Sequence, residues 1–259
     1  MKIKHFLLLI LLTSNAFSQN VSSYALGNAY YKLKAYDRAM FWYEKAIEIN
    51  PKHENAYLNM GNACYRQQEY INAIASYEKA IEINSKHENA YYNLGIVYSK
   101  HKRYSEAIRA YKKAIKINPK KYRAYVQIGT IYWNEKKYEV SIEWYKKAIE
   151  INSKEDLAYL NLFEVWLTQN ESFEKVLEKA YMEQFKGNKK SLIHYDMLKV
   201  LQNIVEGRLP NLELWRETYN GVGLAWNFDD LDMWLETMED SEVKGELNEA
   251  VWFFKGYEK

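Results

Sequence analysis

The octapeptide YEKAIEIN occupies Tyr43–Asn50 and recurs along the chain at a constant interval. It is repeated unchanged at Tyr77–Asn84, and it returns with small changes at Tyr111–Asn118 (YKKAIKIN) and Tyr145–Asn152 (YKKAIEIN). Each copy begins 34 residues after the previous one. A period of this length indicates stacked repeats, in which each unit buries its apolar face against the next unit.

Apolar residues within each repeat lie three or four positions apart, which is the spacing of one face of an α-helix. In the first repeat, Leu26, Tyr30 and Leu33 lie on one such face, and Tyr43 and Ala46 lie on another. Two short helices joined by a turn leave one apolar side open, and only the next pair can cover it. The sequence therefore predicts an all-α protein, an α-solenoid of tandem helix-turn-helix units.

The repeated positions resemble those of the tetratricopeptide repeat family. The pattern of that family places Leu-Gly and an aromatic residue on the first helix, followed by Ala, an aromatic residue and Ala on the second. The first repeat matches it at Leu26-Gly27, Tyr30, Ala39, Tyr43 and Ala46. The resemblance implies four units, which occupy residues 20–53, 54–87, 88–121 and 122–155.

The pattern weakens after the fourth unit. Residues 156–183 are predicted to form a degenerate fifth unit, in which Phe163 stands where the pattern has Gly. We expect this ring to push the following helix away. Residues 184–259 have no clear period, and we expect them to form a helical C-terminal region that caps the array, because stacked repeats expose apolar surface at their ends.

Residues 1–18 have the order of segments that is typical of a bacterial signal peptide. Two lysines precede the apolar run Phe6–Leu12, which is too short to span a bilayer as a permanent helix. Ala16 and Ser18 are the small residues expected before a cleavage site, so cleavage is predicted after Ser18. We therefore expect an exported protein, periplasmic or secreted. No other run is long and apolar enough to predict a membrane span.

Charge is distributed unevenly along the chain, although the net charge is only +2. Residues 206–259 hold 13 acidic and 5 basic side chains, whereas the rest of the chain has a balance of +10. Two interpretations remain open. The chain either has two solvated surfaces of different sign, or a basic array that attracts acidic partners or its own acidic tail.

Catalytic and cofactor-binding motifs are absent from the sequence. The lone cysteine, Cys64, replaces a core aromatic residue and is expected to be a buried thiol without a disulfide partner. His53 and His87 share one repeat position, and we expect them to be exposed turn residues and not metal ligands. We therefore predict no enzymatic activity, no cofactor and no metal. Paired lysines are expected on solvated outer faces, so no nucleic-acid partner is predicted.

The resemblance implies that the first helices of successive units line a concave groove. Asn or Gln recurs there at one position, and an amide side chain can both donate and accept hydrogen bonds to a peptide backbone. The same amides could instead bond a neighbouring helix. The candidate partner-binding residues are Tyr24, Asn28, Asn59, Asn62, Tyr92, Asn93, Arg123, Gln127, Trp133 and Asn161. Leu58 and Gln127 depart from the clamp by which some relatives grip a C-terminal carboxylate, so that recognition is not predicted.

Two functions are therefore expected from the sequence. The first is a scaffold that binds a protein or peptide segment in its groove. The alternative is a structural subunit of a cell-envelope assembly, which would act through the convex face or the acidic C-terminal region. The sequence indicates neither the partner nor the oligomeric state.

Overall fold

The computed structural model describes residues 22–154, 156–169, 175–186, 188, 195, 199, 202 and 203. These residues form α-helices joined by short turns and include no strand, which confirms the predicted fold class. The chain divides into two compact units, residues 1–124 and residues 125–259. The predicted signal peptide and most of the predicted C-terminal cap lie outside the described residues.

The described part of the first unit consists of three consecutive hairpins. They pair α1 (Ser23–Lys32) with α2 (Tyr36–Ile49), α3 (Glu54–Arg66) with α4 (Tyr70–Ile83), and α5 (Glu88–Lys100) with α6 (Tyr104–Ile117). Each first helix packs against its own second helix, and each second helix packs against the next first helix. Because α3 also contacts both α1 and α5, the three first helices share one surface, which we call the first-helix face.

Glycine in the first helix of each of the four repeats lets a tyrosine ring from the second helix lie against the helix backbone. A Cβ atom on Gly27 would lie 2.5 Å from Cδ1 of Tyr43, and one on Gly61 would lie 2.6 Å from Cε1 of Tyr77. No side chain tolerates such a contact without movement of the ring. The glycine and tyrosine that recur together in each repeat therefore set the distance between the two helices of a hairpin.

The turn inside each of the first four hairpins contains a residue in the left-handed backbone region. The φ angles are 61° at Lys34, 64° at Gln68, 56° at Lys102 and 58° at Lys136. In the second hairpin, the N–H of Gln68 donates to the carbonyl of Tyr65, and the N–H of Glu69 donates to the carbonyl of Cys64. These two bonds satisfy carbonyls that the end of α3 would otherwise leave unpaired.

The turn between hairpins depends on the asparagine that ends the octapeptide. The residues involved are Asn50, Asn84, Asn118 and Asn152. The Oδ1 atom of each accepts a hydrogen bond from the backbone N–H two residues further on. This side-chain turn competes with helical bonding and ends the second helix.

The second unit continues the alternation of helices. Its helices are α7 (Tyr122–Asn134), which begins at the end of the first unit, α8 (Tyr138–Ile151), α9 (Asp156–Thr168) and α10 (Lys175–Gln184). In the fifth hairpin, Phe163 is buried and its ring centroid lies 5.5 Å from that of Tyr181. A contact between two aromatic rings thus takes the place of the close approach that glycine permits in the earlier hairpins.

Candidate partner-binding face

Four of the six amide side chains predicted to bind a partner are hydrogen-bonded to one another on the first-helix face. Asn59 Nδ2 donates to Asn28 Oδ1 at 2.8 Å and to the hydroxyl of Tyr24 at 3.0 Å. One repeat further on, Asn93 Nδ2 donates to Asn62 Oδ1 at 2.7 Å. Asn62 Nδ2 in turn donates to Asn59 Oδ1 at 3.3 Å. Five of the predicted residues therefore form one network, which we call the amide network, across α1, α3 and α5.

Buried tyrosines of the second helices donate hydrogen bonds to this network. The hydroxyl of Tyr43 donates to Asn28 Oδ1 at 2.9 Å, and the hydroxyl of Tyr77 donates to Asn62 Oδ1 at 2.9 Å. Burial raises the pKa of both tyrosines, so both hydroxyls remain neutral donors at ordinary pH. The amide and the tyrosine keep the same separation in both repeats, and this constant separation is the sequence signal that predicts these bonds.

The amide network favours a structural role for Asn28 and Asn62. An amide oxygen has two lone pairs, and each of these two oxygens accepts two hydrogen bonds within the protein. These residues hold successive first helices together. Replacing them by Ala would unlink the helices as well as remove contacts to a partner, so such variants cannot test binding alone.

The amide network stops in the third repeat, where Ile96 takes the place of the asparagine. Tyr111, the counterpart of Tyr77 in this repeat, is fully buried, and its hydroxyl has no hydrogen-bond partner among the described residues. Its ring packs 5.6 Å from the ring of Tyr92. In the fourth repeat, Thr130 occupies the same position, and its hydroxyl lies 3.1 Å from that of Tyr145.

The two tyrosines predicted to pack a partner's side chains both contact other side chains of the first unit. Lys121 Nζ lies 5.3 Å from the ring centroid of Tyr92 and also donates to Asn89 Oδ1. The ring of Tyr24 lies 4.6 Å from the ring of His53. Both tyrosines are half-buried, so each is held in place and still presents part of its surface to solvent.

The other predicted residues are divided between the two units. Arg123 is exposed at the end of the first unit and donates to the hydroxyl of Tyr122 at 3.0 Å. Gln127 and Trp133 in α7, and Asn161 in α9, are half-buried in the second unit. Seven of the ten predicted residues thus belong to the first unit, and that unit contains the most fully described part of the candidate site.

A row of cations beside the amide network was not among the predicted site residues. Lys32, Arg66 and Lys100 occupy the last turns of α1, α3 and α5, and all three side chains are exposed. We call them the cation row. Their recurrence once per repeat is visible in the sequence, but basic residues at the end of a helix also complement its dipole, so recurrence alone does not indicate a site.

Cys64 and the two histidines that share a repeat position are parts of the packed structure. Cys64 is buried, as the sequence predicts, and burial raises its pKa to about 11. The prediction that His87 is exposed was wrong, because it is buried with Nε2 3.2 Å from Asn55 Oδ1. His53 is half-buried, and its Nδ1 accepts a backbone N–H at the start of α3. The described residues contain no cluster of three or more potential metal ligands.

A crevice of about 720 Å³ opens between the second and third hairpins, at the edge where their internal turns lie. Its lining includes Tyr70, Ile71, Ile74, Tyr98, His101 and Arg103. Arg103 is already engaged, because it pairs with Glu106 at 2.9 Å and lies 4.5 Å from the ring centroid of Tyr98. The crevice has room for an apolar side chain. Arg103 is not available to pair with an acidic ligand there, because its guanidinium is already bound to Glu106.

Comparison with known proteins identifies the repeat. Sequence profiles described as "Tetratricopeptide repeat" match residues 53–120 and 122–155, and one described as "TPR repeat" matches residues 27–68. No curated protein matches the sequence at a significant level. None of the matching profiles belongs to a catalytic family. In the described part of the chain, no helix has the length and hydropathy that a membrane span requires.

Solved structures show the same fold at low sequence identity. PilF of Pseudomonas aeruginosa is 20% identical, with a TM-score of 0.60, and the match covers 77% of this chain and 91% of PilF. A crystal structure of MamA is 24% identical, with a TM-score of 0.53, covering 66% of this chain and 95% of MamA. MamA from Desulfovibrio magneticus is 18% identical, with a TM-score of 0.55 and coverage of 64% and 93%. The profiles therefore identify tetratricopeptide repeats in residues 27–120 and 122–155, and the solved structures share their fold.

Proposed function

We propose that this chain is a non-enzymatic scaffold that holds a protein or peptide segment on its first-helix face. The observation that carries the proposal is the amide network, which fixes three first helices in one register. A surface that is ordered before binding loses less conformational entropy when a partner docks. Around the amide network lie exposed positions that a partner can contact, among them Ala25, Asn55 and Asn89.

Aromatic and polar side chains lie together on this face, which suits an extended segment. Tyr24 and Tyr92 present half-buried rings at the same repeat position, two repeats apart. Amphipathic aromatic side chains provide contact area at small entropic cost. Hydrogen-bonding side chains between them can bond a peptide backbone without demanding one sequence. We therefore expect a partner recognised by extended shape and by contacts at regular intervals.

A pair of alanine variants tests this function. Ala25 is exposed on α1, at the repeat position of Asn59 and Asn93, and Ala75 is exposed on the second helix α4. Neither side chain is needed for packing, so Ala25→Trp and Ala75→Trp add the same bulk to the two faces. Affinity capture from native extract with wild type and both variants should lose the partner only with Ala25→Trp. Equal recovery by Ala25→Trp and wild type would refute the first-helix face as the site.

We also propose that the protein is exported, with the scaffold acting in the periplasm or outside the cell. The support is the sequence of residues 1–18, with its basic start, apolar run and small residues before the cleavage site. Intact-mass analysis of the protein from its native source should give a chain that begins at Gln19. A mature chain that retains Met1 and its apolar run would contradict export by this signal.

A second function, as a structural subunit of a cell-envelope assembly, has support from the second helices. Three large apolar side chains there are exposed: Phe41 by 51%, Ile49 by 77% and Ile71 by 83%. Apolar side chains on helix surfaces are common contacts in assemblies. This function predicts the reverse outcome of the capture experiment, in which Ala75→Trp loses the partner and Ala25→Trp retains it.

A further inference from the structure

The three side chains of the cation row lack ion-pair partners in the described structure. Among the described residues, no carboxylate forms an ion pair with Lys32, Arg66 or Lys100. Arg103, only three residues beyond Lys100, is paired with Glu106. The three cations are thus exposed at the ends of the first helices without a carboxylate partner among the described residues, and an acidic partner would be attracted to them.

Aromatic rings accompany two of the three cations. Tyr31 and Tyr65 directly precede Lys32 and Arg66 and are half-buried. Each ring is held by an edge-to-face contact, Tyr31 with Tyr36 at 5.5 Å and Tyr65 with Tyr70 at 5.8 Å. Rings fixed in this way, with part of the surface open, form the kind of groove lining on which polyproline II segments dock.

The first helices that carry the cations contact one another in succession, α1 with α3 and α3 with α5. Packed helices lie about 8–10 Å apart. A polyproline II chain has three residues per turn and rises about 3.1 Å per residue, so side chains at every third position share one side and lie about 9 Å apart.

We propose that the cation row, Lys32, Arg66 and Lys100, binds an acidic segment in the polyproline II conformation, with a carboxylate at every third residue. The carboxylates pair with the three cations, and the residues between them pack on Tyr31 and Tyr65. This proposal rests on the proposed function and names the class of partner. The same cations also complement the helix dipoles, a role that affects stability and requires no ligand.

A labelled peptide, fluorescein-(Glu-Pro-Pro)4, tests the proposal by fluorescence anisotropy with the full chain at low salt. Binding should weaken on the order of tenfold in the triple variant Lys32→Gln/Arg66→Gln/Lys100→Gln, because three exposed ion pairs are lost. The matched control is Lys52→Gln/Lys86→Gln/Lys120→Gln, which removes the same charge from exposed residues that share another repeat position. The control should bind the peptide as wild type does.

The charge of the peptide and the nature of the ligand are tested in the same assay. Fluorescein-(Gln-Pro-Pro)4 should bind at least about tenfold more weakly than the Glu peptide, and added salt should weaken only the Glu peptide. Equal affinity for the two peptides would overturn the proposal, and so would equal losses in both triple variants. Tighter binding of a labelled oligothymidine than of the Glu peptide would also overturn it, in favour of a nucleic-acid ligand.

Single variants and the capture experiment separate this proposal from folding and from the proposed function. If circular dichroism shows that a triple variant is unfolded, Arg66→Gln and Lys86→Gln repeat the comparison with one charge each. If Ala25→Trp loses the native partner while the Glu peptide fails to bind, the acidic-segment proposal is wrong and the scaffold function stands. If the Glu peptide binds through the cation row and Ala25→Trp retains the native partner, the amide-network surface around Ala25 is not the site.

Discussion

At the scale of single residues, one hydroxyl group distinguishes the third repeat from its neighbours. Tyr43 and Tyr77 each donate to an asparagine, whereas the hydroxyl of Tyr111 is buried without a partner in the described structure. A buried polar group without a hydrogen bond costs about 1–3 kcal/mol, while a satisfied one contributes about 1 kcal/mol. Ile96 stands at the position that asparagine occupies in the first two repeats. The hydroxyl of the buried tyrosine therefore lowers the stability of the fold in the third repeat, whereas it raises the stability in the first two.

We expect Tyr111→Phe to stabilise the protein by about 1 kcal/mol, because it removes an unsatisfied hydroxyl and keeps the ring. Tyr77→Phe is the matched control and should destabilise the protein by about 1 kcal/mol, because it removes the bond to Asn62. Urea unfolding followed by circular dichroism measures both. A loss of stability in Tyr111→Phe as large as that in Tyr77→Phe would show that the Tyr111 hydroxyl has a favourable partner.

At the scale of helical elements, the glycine–tyrosine contact accounts for how closely a hairpin packs. The ring of Tyr77 is buried and its hydroxyl is bonded to Asn62, so it cannot move away from Gly61 without losing that bond. A Cβ atom at Gly61 would lie 2.6 Å from the ring. Steric strain of this kind exceeds the gain of about 1 kcal/mol that Ala brings to a helix interior.

Gly61→Ala is therefore expected to destabilise the protein by about 1–2 kcal/mol, the balance of overpacking and helix propensity. In the background of Tyr77→Leu the ring is absent, and the same substitution should be neutral or stabilising. The double-mutant cycle is read from urea midpoints. A similar loss in both backgrounds would mean that another contact restricts Gly61.

The left-handed residue in each internal turn leads to a second prediction for the elements. Gln68 has a φ of 64°, a conformation that costs a residue with a Cβ atom about 1–2 kcal/mol. Gln68→Gly should stabilise the protein by about 0.5–1 kcal/mol, since glycine relieves this cost and loses some of the gain through entropy. Ala75→Gly, in the interior of α4, should instead cost about 1 kcal/mol. The melting temperatures of both variants, measured by thermal unfolding, test this prediction. A lower melting temperature for Gln68→Gly than for wild type would contradict the turn geometry.

The sequence predicts elements better than it predicts which side chains bind. The period of the repeats gives the hairpins, because each apolar position recurs with its packing partner at a fixed separation. The recurrence of amides at Asn59 and Asn93 is equally visible in the sequence. Their hydrogen-bond partners are not, because an amide can bond a ligand or a neighbouring helix with the same chemistry. Only the distance to Asn28 and Asn62 shows that these amides bond one another.

At the scale of the whole molecule, four buried tyrosines make stability depend on alkaline pH. Burial is the largest cause that raises the pKa of Tyr43, Tyr77, Tyr111 and Tyr145 above the ordinary value of 10.0. The unfolded chain loses these protons first, so unfolding is favoured as the pH rises. The contribution to stability is complete below pH 10 and declines above it.

We expect the free energy of unfolding to begin to fall near pH 9, where the thiol of Cys64 titrates in the unfolded chain, and to fall steeply above pH 10, where the tyrosines follow. Each tyrosine should contribute about 1.4 kcal/mol per pH unit to the decline. Urea midpoints measured between pH 8 and 11 give the slope. Tyr145→Phe should reduce this slope by about 1.4 kcal/mol per pH unit. A slope unchanged by the substitution would contradict the raised pKa of Tyr145.

Photo-crosslinking tests most directly whether the first-helix face holds the partner. Benzoylphenylalanine is placed in the native host at exposed first-helix positions, Ala25, Asn55 or Asn89, and at one repeated exposed position of the second helices, Phe41, Ala75 or Arg109. After irradiation, the first set should yield one common crosslinked partner and the second set should yield none. Crosslinks from the second set alone would contradict the account and assign binding to the opposite face.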